Sequence, residues 1–71
     1  MKLLPSIGDV VPLDSGDATI MEIRDRGAVE VLASREQSIH PYAIWKWNDG
    51  ALYSGLYFRT LEKAKAHWIG L

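Results

Sequence analysis

Between Tyr42 and Phe58 the chain places all three of its tyrosines, two of its three tryptophans and its only phenylalanine, with Lys46 among them. Exposed rings beside a cation can stack on single-stranded bases or anchor a protein interface, so the first question is which of these rings share a surface. The turn decides this. Asn48-Asp49-Gly50 separates two alternating aromatic runs, and an Asp-Gly pair tolerates the positive φ that a two-residue hairpin loop demands. Closed at Asp49 and Gly50, the hairpin pairs Asn48 with Ala51, Trp47 with Leu52, Trp45 with Ser54 and Ala43 with Leu56. One face then carries Ala43, Trp45, Trp47, Leu52, Ser54, Leu56 and Phe58, and the other carries Tyr42, Ile44, Lys46, Tyr53, Gly55 and Tyr57. A different loop length would exchange these memberships, because the side-chain period of a strand is two.

The first face reads as core, since each large aromatic buries on the order of 150–250 Å² and a thin core needs that area. The second face, with Tyr42, Tyr53 and Tyr57 around Lys46, has three readings. Its tyrosines satisfy strand propensity and cross-strand packing, or anchor a protein partner, or stack on single-stranded nucleic acid with help from Arg59, Lys63 and Lys65. Gly55 leaves room on that face for a backbone or ring to approach closely.

No other residues gather into a catalytic pattern. His40 precedes Pro41 at the entry to a strand, and His67 lies near the end of the C-terminal helix, where the dipole favours an imidazolium without giving it a chemical task. The five serines lie outside any nucleophile-elbow pattern, and there is no phosphate-binding glycine loop. Asp14 and Asp17 flank a turn, with spacing too sparse for a calcium loop. The sequence thus implies no enzyme, metal or cofactor.

Composition sets the frame. A chain of 71 residues without cysteine has room for one domain, spanning residues 1–71, and no disulfide to brace it. The lack of cysteine fits a reducing, cytoplasmic compartment. Near the start, Pro5, Ser6, Gly8 and Asp9 interrupt the apolar residues before they reach the length of a signal core or membrane span. Residues 1–38 carry a net −3 and residues 39–71 a net +2, so the aromatic half is also the mildly basic half. That excess is weak beside the footprint of a nucleic-acid binder.

The positioning elements follow from the pattern. Ile7 to Leu13 is a short β-branched run that Pro12 confines to a sheet edge, and Asp14-Ser15-Gly16-Asp17 has turn chemistry throughout. In Ala18–Asp25, Ile20 breaks the alternation of Thr19, Met21 and Ile23, which predicts a strong twist or a bulge. Asp25-Arg26-Gly27 turns the chain into Ala28–Ser34, where Val29, Val31 and Ala33 alternate with Ala28, Glu30 and Leu32. Arg35 to Ser38 is a polar loop. After Phe58 the period changes. Thr60 caps a helix in which Leu61, Ala64, Lys65 and Trp68 share a face, Glu62 complements the first turn, and Gly70 ends it. So short a helix must dock through Leu61 and Trp68, and the expected surface is Trp45, Leu56 and Phe58.

Ile7-Gly8-Asp9-Val10-Val11 with Leu13, a Ser-Gly turn and an apolar strand resembles the opening of small bacterial SH3-like barrel domains. The Trp/Tyr hairpin followed by a helix is similar to small proteins of phage and mobile-element origin. These resemblances imply a binding role and carry no site residues across. The expectation is therefore a mainly β chain, a small SH3-like barrel or strongly twisted antiparallel sheet of about five strands with one C-terminal helix. Its expected role is a non-catalytic module binding a protein, itself included, through Tyr42, Lys46, Tyr53 and Tyr57, with single-stranded nucleic-acid binding through the same face as the alternative and a small enzyme or ligand-binding protein as a remote one.

Overall fold

A computed structural model describes residues 4–13, 16–36, 38–48 and 50–70. Five antiparallel strands form a curled half-barrel sheet, and one helix follows them. The strands are β1 (Val10–Val11), β2 (Ala18–Asp25), β3 (Val29–Ser34), β4 (Tyr42–Asn48) and β5 (Ala51–Phe58), and the helix is α1 (Leu61–Gly70). They are joined in chain order, β1-β2-β3-β4-β5. Each strand therefore pairs only with its neighbours in sequence, as short turns require. Asp14, Ser15, Gln37 and Asp49, on which the turn and loop expectations partly rest, lie outside the described residues.

The expected irregularity in β2 is present. Ile20 pairs with Ala33 and Glu22 with Leu32, so the register slips at Met21. The slip keeps Ile20 and Ile23, two apart in pattern but three in sequence, on one face of the sheet. β1 is shorter than the run Ile7–Leu13 suggested. Only Val10 and Val11 pair, with Thr19 and Ala18, and Pro12 ends the ladder because it has no N–H to give. Upstream, the Gly8 amide donates to the Ile20 carbonyl and the Ile20 amide to the Asp9 carbonyl, so this edge is tied down beyond β1 itself.

The sheet has a core on each face. On one face Ala18, Ile20, Val31, Ala33, Ala43 and Trp45 are buried together, with Val11, Leu13, Ile23, Trp47 and Leu52 packed at their margin. On the other, Leu32 and Ile44 are covered by Ala64 and Trp68 of α1, with Tyr42 and Phe58 half-buried beside them. The expected docking of the helix on Trp45, Leu56 and Phe58 is corrected here. Trp45 points to the face opposite the helix, and Leu56 stays exposed; of the three only Phe58 meets the helical cluster. The reason is alternation in β3 and β4. Leu32 and Ile44 lie between residues that already fill the first face, so they need a second cover, and the apolar stripe of α1 supplies it.

α1 starts where the sequence placed it. The Thr60 hydroxyl accepts from the Lys63 amide at 3.2 Å, an N-cap, and the Thr60 carbonyl accepts from Ala64. Gly70 is the last helical residue rather than the first beyond it. At the far end Arg24 of β2 donates to the Trp68 carbonyl and stacks on its ring.

Candidate protein-binding edge

The hairpin of β4 and β5 begins in the expected register, with Asn48 opposite Ala51, Trp47 opposite Leu52 and Lys46 opposite Tyr53. It then slips. Beyond Lys46 the partners are Ile44 with Leu56, Ala43 with Tyr57 and Tyr42 with Phe58, so Ser54 and Gly55 together oppose Trp45. Ser54 sits at φ 55°, the left-handed region that most L residues avoid, which is how the extra residue is accommodated.

This bulge redistributes the tyrosines. Tyr57 joins the face of Trp45, its ring edge-on to the indole at 6.0 Å between centroids. Tyr42 stays on the helical face, half-buried against the second core. Tyr53 keeps its place beside exposed Lys46. The expected face of Tyr42, Tyr53 and Tyr57 around Lys46 therefore does not form. What the structure brings together instead lies along β5, where Tyr53 and Leu56 emerge on the helical side and Tyr57 on the other, each between 43% and 51% exposed. Arg59 and Lys63, exposed at the start of α1, follow directly from the end of that strand.

Gly55 does permit a close approach, but of rings from its own chain. A Cβ at this position would fall 2.5 Å from the Tyr57 hydroxyl and 2.6 Å from Trp45 Nε1. The bulge and the ring pair are thus one construction. On the same side the guanidinium of Arg35 lies 4.9 Å from the Tyr57 ring centroid and 5.5 Å from that of Trp45. Arg35 is further held by donation from its Nη2 to the His40 carbonyl at 2.9 Å. Strand alternation carries no sign that Arg35 joins the aromatic pair. Its position follows from the pairing of β3 with β4, which brings the residue after Ser34 beside Pro41.

β5 is an edge strand with an unusual composition. Ala51–Phe58 contains no charged residue and no proline, whereas natural edges are commonly blunted by both. The bulge is the one such device it has. At the other side of the sheet an open groove of about 440 Å³ is lined by Val10, Gly16, Asp17, Thr19, Ser34 and Glu36. Its polar lining consists of the Asp17 and Glu36 carboxylates and the Thr19 and Ser34 hydroxyls. Among the described residues no three His, Cys, Asp or Glu side chains gather where they could hold a metal ion, and no helix is long and apolar enough to cross a membrane. The chain matches no protein-family model, no curated protein and no solved structure.

Proposed function

We propose that the protein is a non-catalytic interaction module that receives a protein partner along β5, with Tyr53, Leu56 and Tyr57 as apolar contacts and Lys46, Arg59 and Lys63 at the rim. The observation that carries this reading is the exposure of Tyr53, Leu56 and Tyr57 on an uncharged terminal strand, although Ile44 and Ala43, the register partners of Leu56 and Tyr57, are buried. An apolar strip with a basic border has the make-up of a protein interface, which is depleted of charge at its centre. The resemblance of Ile7–Leu13 to SH3-like barrel domains supports a binding role, and the cysteine-free sequence supports a cytoplasmic setting.

Amide NMR separates this from the nucleic-acid alternative. A mixed-sequence single-stranded oligonucleotide added at low and moderate salt is expected to leave residues 51–58 unshifted. Shifts at Lys46, Tyr53, Arg59 and Lys63 that fade as salt rises would replace the protein-partner reading with a nucleic-acid one.

A further inference from the structure

The two free edges of this sheet carry opposite chemistry. Along β5 the exposed Tyr53, Leu56 and Tyr57 have near them, among the described residues, Lys46, Arg59, Lys63 and Lys65, against Glu62. Along the N-terminal edge Leu4, Ile7 and Val10 are between 52% and 69% exposed, and the charges beside them among the described residues are Asp9 and Asp17. Past the N-terminal end of β1, the outer side of β2 adds exposed Glu22 and Asp25, against Arg26. Each edge is an apolar strip, one with a basic border and one with an acidic border.

We propose that the occupant of the β5 edge is the N-terminal edge of a second copy, so that copies of this chain associate head to tail. The inference rests on β5 being a protein-binding edge and names the partner. Charge complementarity selects this arrangement over a two-fold pairing of β5 with itself. A two-fold pairing is isologous, so it brings the basic border of one β5 edge toward the basic border of the other. Like charges so placed repel. The bulge at Ser54 and Gly55 would also sit near the centre of such a pair, where a continuous ladder is needed. The N-terminal edge has an acidic border instead, and β1, two residues long, can pair with β5 on one side of the bulge without crossing it. β1 and β5 run in the same direction, because an even number of antiparallel pairings separates them. A second copy in the same orientation therefore continues the sheet with its helix on the same side. Such a contact uses two different surfaces of each copy, and it grows into a ring or an open row.

Sedimentation of the full chain across a concentration series tests the proposal, using two substitutions at exposed positions. Leu56→Glu places a carboxylate on the β5 edge, opposite the acidic border it would meet. Ile7→Lys places an ammonium on the N-terminal edge, opposite the basic border. The wild-type chain is expected to exceed the protomer mass, less so at high salt. Each variant alone, with its folded amide spectrum retained, is expected to be a monomer. Mixed in equal amounts the two are expected to form a species of twice the protomer mass, because each supplies the edge the other lacks. A wild-type chain that remains monomeric into the millimolar range overturns the head-to-tail contact; that result leaves the oligonucleotide titration as the judge of β5. Association that survives Ile7→Lys but is lost with Leu56→Glu overturns the N-terminal edge as partner while retaining β5 as an interface.

Discussion

The guanidinium carbon of Arg24 lies 3.9 Å from the centroid of the Trp68 ring, and Nη1 of the same group donates to the backbone carbonyl of Trp68. One side chain of β2 thus holds both the ring and the main chain of the last helical turn. Its Nε meanwhile donates to Glu30 at 2.9 Å, on the neighbouring strand. Arg24→Lys keeps the charge but loses the planar group that does these things at once. A cation–π contact of about 1–2 kcal/mol and a charge-assisted hydrogen bond of about 1.5–3 kcal/mol are at stake. The expected loss in urea unfolding is about 2 kcal/mol, with faster amide exchange in residues 66–70. Unchanged exchange there would show that α1 is held by Ala64 and Trp68 burial alone.

Gly55→Ala is expected to cost more than its size suggests. The new methyl would meet Tyr57 and Trp45 inside normal contact distance, and Trp45 is buried. Tyr57 can move toward solvent, so the loss expected is about 1–3 kcal/mol, as for other overpacked sites. The ring-current shifts that Trp45 imposes on Tyr57 protons report the separation directly. Their persistence in a fully stable variant would contradict the close approach.

Trp45→Ala is expected to cost about 3–5 kcal/mol, the usual range for removing a large buried aromatic. Trp45 is 5% exposed at the centre of the first core. In a domain this small that loss approaches the whole of the stability. A folded mutant with a cooperative thermal transition would remove Trp45 from the core.

Thr60→Ala tests the helix start. The lost acceptor for the Lys63 amide is expected to cost about 1 kcal/mol, and Thr60→Asn is expected to recover most of it. Thermal midpoints of the two variants give the comparison. Equal destabilisation by both would mean the hydroxyl has no capping role.

Most strands were legible because their boundaries are written in residues with narrow conformational choices. Asp25-Arg26-Gly27 and Asn48-Asp49-Gly50 set the two hairpins, and Gly27 and Gly50 both adopt positive φ. Thr60 and the change of period set α1, and the broken alternation at Ile20 announced the slip at Met21. The expected tyrosine face failed at a single residue. Alternation through Ala51–Phe58 continues unbroken on paper, and Ser54 has no composition that marks a left-handed conformation. The available signal was Gly55, since an isolated glycine in a strand often accompanies a bulge. The second core was hidden for a different reason. Leu32 and Ile44 are single apolar residues on faces that otherwise read as polar, and their burial depends on where α1 lands. Arg24 is the residue that fixes that landing, and nothing local to β2 distinguishes it from a solvent-facing arginine.

Chain-order pairing of all five strands also shapes how the molecule forms. Every ladder closes a short loop, so contact order is low for a sheet of this kind and each hairpin can zip onto the last as it leaves the ribosome. The contact of Arg24 with Trp68 spans 44 residues and closes only after β5 and α1 exist. The β3–β4 hairpin therefore belongs to the folding nucleus and α1 to the final step, with φ-values expected to be high for substitutions at Val31 and near zero at Trp68. Until that step Leu32 and Ile44 face water, and the nascent chain carries an uncovered apolar surface that the ten residues of α1 remove.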